Sequence, residues 1–241
     1  MLELKNVSFS AMGENGEKEI LNNINLKIDE GFSVITGPNG SGKSTLAKII
    51  AGIITPTKGE IWLDGENITG LSITERAKKG ISFAFQQPVR FKGITVHDLI
   101  SLAAGKDISV GEACNYLSEV GLCARDYINR EINASLSGGE LKRIEIASVL
   151  ARSTKISLFD EPEAGIDLWS FNSLIKVFEK MHSTLKGSII IISHQERILN
   201  IADRVIVVAE GSIKEIGKKE EVLPSLLGNT RDNCPVLTQK I

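Results

Sequence analysis

Residues 37 to 45 read Gly37-Pro38-Asn39-Gly40-Ser41-Gly42-Lys43-Ser44-Thr45. Two glycines separated by four residues, then Lys and a hydroxyl residue, fit the P-loop pattern. The apolar run Phe32 to Ile35 before it reads as a buried strand, and Leu46 to Ile54 after it has helical spacing. The glycines therefore fall at a strand-to-helix turn, where backbone N–H groups of Gly40, Ser41, Gly42 and Lys43 can converge on phosphate oxygens beside a helix N-terminus. In this motif Lys43 reaches the terminal phosphates, Ser44 offers its hydroxyl to Mg²⁺ and Thr45 supports the same region. This stretch dictates an α/β core with a phosphate site at one edge of its sheet.

The rest of the composition narrows the function classes. The chain has 241 residues, with 28 basic and 30 acidic side chains. That length suits one domain, residues 1–241, and the balanced charge leaves no footprint for nucleic acid or an anionic membrane. Cys114, Cys123 and Cys234 are odd in number and lack CxxC spacing, so reduced thiols are expected rather than disulfides or zinc. No apolar run approaches 18 residues and the N-terminus alternates Leu2, Leu4, Val7, so a cytoplasmic protein is expected.

Met1 to Ser10 and Ile20 to Ile28 alternate with period two around Gly13-Glu-Asn-Gly16, which predicts a hairpin. Asp64-Gly65 between Gly59–Leu63 and Glu66–Ile68 predicts another. Ser72-x-x-Glu75, Thr95-x-x-Asp98 and Ser109-x-x-Glu112 are capping-box patterns, the last two within a helical stretch from Thr95 to Asn129 that Gly121 interrupts. Ile81 to Phe85 is a short strand that Gln86-Gln87-Pro88 ends. Leu136-Ser137-Gly138-Gly139-Glu140 precedes a helix from about Leu141 to Ala151. Ile156 to Phe159 is a strand running into Asp160-Glu161-Pro162, Asp167 opens a helix reaching about Leu185, and Ser188 to Ile192 is a β-branched strand ending at Ser193-His194. Arg204 to Val208 and Ser212 to Ile216 turn around Glu210-Gly211. The tail after Pro224, residues 224–241, is polar and reads as loosely ordered.

An acidic pair at the end of an apolar strand downstream of a P-loop is a Walker B arrangement, in which Asp160 holds Mg²⁺ and Glu161 faces the γ-phosphate. With Leu136-Ser137-Gly138-Gly139-Glu140 standing in order between Gln86 and Asp160-Glu161, the chain resembles the ATP-binding cassette (ABC) ATPases. Gln86 matches that family's Q-loop, Glu163-Ala-Gly-Ile-Asp167 its D-loop and His194 its switch histidine. The resemblance implies a P-loop NTPase core with a mostly parallel sheet, an antiparallel β subdomain and an inserted helical subdomain, the core at about 1–90 and 136–220 and the helical part at about 91–135. It implies ATP and Mg²⁺ as ligands, with Ser44, Gln86 and Asp160 at the metal. It also implies a head-to-tail homodimer that sandwiches each ATP between one copy's P-loop and the other's Ser137, Gly138, Gly139 and Glu140. Glu161 is then the general base, Gln86 the sensor of Mg²⁺ and γ-phosphate, His194 the holder of transition-state charge, and Asp167 the pairing residue across the interface. His97 and His182 match no motif and are expected to be structural.

The position where many relatives stack adenine on an aromatic residue is Ala11, and Phe9 alternates with Val7 toward the core. Ala84-Phe85-Gln86-Gln87-Pro88-Val89, Arg130-Glu-Ile132-Asn133 and His194-Gln195-Glu196-Arg197-Ile198-Leu199 are similar to SufC, the ATPase of Suf-type iron-sulfur cluster assembly. That resemblance implies a soluble Suf-type scaffold as partner, and a resting pair in which Lys142 neutralises Glu161. The alternative is an ATP-binding subunit of a membrane transporter, with transmembrane subunits as partners.

Overall fold

The computed structural model describes residues 1–13, 16–133, 135–184 and 187–228. The first half runs β1 (Leu2–Gly13), β2 (Gly16–Ile28), β3 (Gly31–Thr36), α1 (Lys43–Ala51), β4 (Lys58–Leu63), β5 (Glu66–Asn67), α2 (Ile73–Lys78), β6 (Ile81–Ala84) and α3 (Val96–Ala104). The second half runs α4 (Val110–Glu119), α5 (Ala124–Tyr127), α6 (Gly138–Arg152), β7 (Ile156–Asp160), α7 (Leu168–Thr184), β8 (Ser188–Ile192), α8 (Glu196–Ile201), β9 (Arg204–Ala209), β10 (Ser212–Lys218) and α9 (Lys219–Gly228).

These strands make two sheets. An antiparallel sheet has the order β2-β1-β4-β5, and a six-stranded sheet has the order β10-β9-β3-β8-β7-β6, in which only β10 runs antiparallel to its neighbour. The central strands are apolar on both faces, as buried parallel strands must be. Their side chains alternate between two cores. Ile190 and Ile192 of β8 and Leu158 of β7 join Leu46, Ile49 and Ile50 of α1 and the inner face of the antiparallel sheet. Ile189, Ile191 and Phe159 turn the other way, onto Phe178 of α7 and the helices α3, α4 and α6. Phe178 meets Phe159 edge to face at 5.1 Å.

The turn chemistry follows the sequence closely. Asp64 and Gly65 both have positive φ, as a two-residue hairpin turn requires, and Glu210-Gly211 repeats the device. All three expected capping boxes form, at Ser72/Glu75, Thr95/Asp98 and Ser109/Glu112. Phe9 packs partly buried against the β-side core, as its alternation implies. The structural reading of two histidines also holds in geometry: His97 bonds the Ile108 carbonyl at 2.9 Å, and His182 lies 2.8 Å from Asp203.

One expectation is corrected, and one element is new. The chain beyond Pro224 does not loosen there, because α9 continues to Gly228 with Pro224 inside it. Proline removes one backbone bond, and burial of Val222 with packing of Leu223 and Leu226 on the core outweighs that loss. Residues 229–241, with Cys234, lie outside the described residues. Helix α8 was not expected; six residues between two strands are too few to show a period.

Arg76 of α2 is a buried cation that forms no ion pair with a carboxylate among the described residues. Its guanidinium donates to the carbonyls of Ile49 and Ile50 at 2.7 and 2.9 Å, of Thr69 at 2.8 Å and of Leu71 at 3.1 Å. It therefore caps the carbonyls at the end of α1, the helix that follows the P-loop; the Ile49 carbonyl also accepts the Gly52 N–H. Burial pulls its pKa down to about 10, which leaves it charged at neutral pH. Replacing Arg76 by Ala strands these acceptors and opens a cavity. The expected cost is about 3 kcal/mol, read as a fall of roughly 6–12 °C in the thermal midpoint.

Candidate active site

Parallel pairing delivers the motif residues to one edge of the sheet. Ile35 of β3 and Asp160 of β7 both pair with Ile192 of β8, so the P-loop and the Walker-type carboxylates leave the two strands that flank β8 at the same height. Ligands of open α/β sheets bind at this carboxyl edge. A cleft of about 390 Å³ opens there, lined by Ile20, residues of the P-loop, Gln86 and Glu161.

The P-loop needs its glycines. A Cβ at Gly37, whose φ is 138°, would sit 1.9 Å from the Val208 carbonyl oxygen. One at Gly42, the residue capping α1 with φ 99°, would press on Leu21 at 2.6 Å. The turn is thus held tightly against β9 and β2. Lys43 is buried, and its Nζ donates to the carbonyls of Gly37 and Pro38 at 2.8 and 2.7 Å. Burial lowers its pKa, against the attraction of Glu161 and Asp160.

Ser44 Oγ donates to Asp160 Oδ1 at 2.9 Å. Asp160 is only 2% exposed, and burial raises its pKa, with the Ser44 bond opposing. One hydroxyl and one desolvated carboxylate side by side are hard oxygen donors of the kind Mg²⁺ accepts alongside phosphate oxygens and water. The residues present therefore fit the ion. Among the described residues no cluster of three or more His, Cys, Asp and Glu side chains forms a metal site, consistent with so sparse a donor set.

Glu161 has φ 45°, in the left-handed region that a non-glycine residue enters at a cost of about 1–2 kcal/mol. Its N–H bonds the Ile192 carbonyl at 3.0 Å, which pins the turn. Its carboxylate Oε2 accepts from Gln86 Nε2 at 2.6 Å. The expected Lys142–Glu161 pair is not formed, and Lys142 is no surface lysine either. It is 1% exposed and donates to the carbonyls of Phe85 and Gln86. The resemblance to SufC points Lys142 at Glu161, but the backbone carbonyls of Phe85 and Gln86 take its protons.

The remaining motif residues sit away from the cleft lining. Ser137 caps α6 in a capping box with Glu140, and Gly138 and Gly139 form the helix's first turn, which therefore begins earlier than Leu141. Ser137 and Gly138 are exposed. The Glu140 carboxylate is used within the chain, accepting from Ser137 N–H at 2.6 Å and from Tyr127 O–H at 2.5 Å. His194 is exposed at the end of β8. Asp167 accepts the Phe171 N–H through its carbonyl at the start of α7.

Sequence reasoning missed a second layer. Ser193 Oγ donates to Glu163 Oε1 at 2.5 Å and accepts from Gln195 N–H at 3.0 Å, which ties the D-loop to the strand end bearing His194. Burial raises the pKa of Glu163, with the Ser193 bond opposing. Position alone, two residues after Glu161 and one before His194, was the available signal. Glu145 of α6 and the aliphatic wall Ile20 carried none.

Comparison with known proteins agrees with this geometry. Residues 21–164 match the ABC transporter family. An uncharacterized ABC transporter ATP-binding protein of Methanocaldococcus jannaschii is 39% identical over 217 residues, 86% of this chain and 86% of the relative. The sulfate/thiosulfate import ATP-binding protein CysA of Mesostigma viride is 36% identical over 215 residues, 86% of this chain and 60% of that relative. A solved dimeric ATP-binding cassette in a post-hydrolysis state, bound to ADP and Pi, superposes with TM-score 0.82 at 27% identity, over 91% of this chain and 99% of that one. The fold is that of an ABC nucleotide-binding domain, and the chain belongs to the ABC transporter family.

Proposed function

We propose that this chain hydrolyses ATP as the energy-converting subunit of a membrane transporter. The observation that carries the reading is the assembly of P-loop, Ser44–Asp160 and Gln86–Glu161 around one cleft, with the Ser137-Gly138-Gly139 helix terminus exposed outside it. That separation leaves the signature segment to serve a second copy's nucleotide, as in a head-to-tail homodimer. Relatives whose names specify transport support the transporter reading.

The chain's own residues divide the work. The N–H groups of residues 40–44 receive phosphate oxygens, and Lys43 exchanges the Gly37 and Pro38 carbonyls for phosphate. Ser44 and Asp160 hold Mg²⁺, which when bound neutralises phosphate charge. Glu161 accepts a proton from the attacking water as the new P–O bond forms and the bond to the ADP oxygen breaks, releasing ADP and phosphate. Gln86, now on Glu161, shares or yields that carboxylate at this step. In the closed dimer Ser137 and Gly139 of the other copy donate to the γ-phosphate, His194 steadies the developing charge and Asp167 pairs across the interface.

An apolar groove of about 140 Å³ between the Q-loop and α3 and α6, lined by Phe83, Phe85, Val89, Phe91, Leu99 and Ile144, suits the docking segment of a membrane-embedded partner. Among the described residues no helix is long and apolar enough to cross a membrane. A second reading, a Suf-type scaffold as partner, draws on the absence of any aromatic side chain among the residues lining the nucleotide cleft, where Ile20 stands instead.

Three measurements bear on this. Lys43→Ala is expected to weaken ATP binding at least about tenfold in equilibrium titration, because it removes a charge-assisted phosphate contact. Glu161→Gln is expected to keep ATP binding and dimerise with ATP in size-exclusion chromatography while kcat falls by about 100-fold or more. The trapped Glu161→Gln dimer, isolated from its source cells, should carry a polytopic protein recoverable only with detergent; a detergent-free complex with a scaffold holding iron and sulfide would establish the second reading instead.

A further inference from the structure

The helix that bears the signature segment also grips the loop that bears Gln86. Two side chains of α6, one turn apart, converge on that loop. Lys142 Nζ donates to the Phe85 carbonyl and, at 2.8 Å, to the Gln86 carbonyl. Glu145 Oε1 accepts the Phe85 N–H at 2.8 Å, and Glu145 Oε2 lies 3.8 Å from the Lys142 ammonium. That second oxygen is buried and has no hydrogen-bond partner among the described residues. Burial lowers the pKa of Lys142 and raises that of Glu145, each partly offset by the other's charge.

A buried Lys–Glu pair is a poor device for stability, because well-packed apolar side chains of similar volume often serve as well or better. What this pair supplies is direction. It fixes both polar groups of the Phe85 peptide and the carbonyl of Gln86, just where β6 ends and the chain leaves the sheet. Pro88 restricts the conformation of Gln87 beyond it. The loop therefore leaves β6 along one path, and at the end of that path Gln86 Nε2 meets Glu161 Oε2 at 2.6 Å.

We propose that Lys142 and Glu145 are positioning residues for hydrolysis: a buried clamp that sets the Phe85-Gln86 backbone so that the Gln86 amide meets Glu161, and that ties this placement to the tilt of α6. Neither side chain lines the nucleotide cleft. The clamp acts through Gln86. Because Ser137 to Gly139 form the N-terminal end of the same helix, about one turn before Lys142, a second copy engaging that end would be felt at this chain's own base. The inference rests on the hydrolytic reading above.

The test is a double-mutant cycle on the full chain, with kcat and KM for ATP measured for wild type, Lys142→Met, Gln86→Ala and the double variant. Lys142→Met is expected to lower kcat by about tenfold or more while KM moves by less than about threefold. In the Gln86→Ala background the further loss should be under about twofold, since the clamp has nothing left to position. If Lys142→Met melts early, Lys142→Met/Glu145→Leu removes both buried charges and is expected to melt near wild type yet keep the low kcat. An unchanged kcat, a loss undiminished in the Gln86→Ala background, or KM rising together with the kcat loss would overturn the clamp. Wild-type protein that hydrolyses no ATP would overturn the hydrolytic reading and this inference with it, whereas an active wild type with insensitive variants would overturn the inference alone.

Discussion

The pairing of Ile35 and Asp160 with the same residue, Ile192, is the constraint on which the rest of the site depends. Three parallel strands held in that register put the start of the P-loop, the metal-type carboxylate and the turn before His194 at one level. Ser44, in the first turn of the next helix, can then reach Asp160 across the intervening strand. A slip of one residue in β7 would invert its side chains, exchanging Leu158 and Phe159 between the two cores, and would carry Asp160 away from the cleft. Register and chemistry are thus specified by the same alternation of apolar side chains.

The charges of the cleft are each lodged against something exchangeable. Lys43 rests on two carbonyls of its own loop, Asp160 on a hydroxyl, and Glu161 on an amide. None of these contacts is a full ion pair, so each charge stays partly uncompensated, and Lys43 and Asp160 are buried, where the attraction for an incoming opposite charge is strongest. Lys142 differs. Its protons are spoken for by backbone carbonyls and its charge by Glu145, which suits a residue that holds a loop rather than one that receives a ligand.

Much of this was legible in the sequence wherever cause and effect are close along the chain. Capping boxes at Ser72, Thr95 and Ser109, the Asp64-Gly65 turn and the P-loop all act within a few residues, and all form as read. Contacts between distant segments were less legible. Lys142 and Phe85 are 57 residues apart, and nothing local says that the lysine ends on a carbonyl rather than on Glu161. Pro224 misled for the opposite reason: the local rule is sound, but tertiary burial of its neighbours outweighed it. Ser137 and Glu140 form a fourth capping box by the same spacing as the other three. Its reading as a ligand-facing motif hid this simpler structural duty.

Glu161 stands at φ 45° where glycine would be at ease. A search for stabilising substitutions, whether by selection for heat resistance or by averaging over relatives, will be drawn to this position, since relieving such strain gains on the order of 1 kcal/mol. The gain would cost the carboxylate. Thermal robustness and the hydrolysis proposed above are therefore set against each other at a single backbone torsion, where the sequence keeps a strained carboxylate in place of an unstrained glycine.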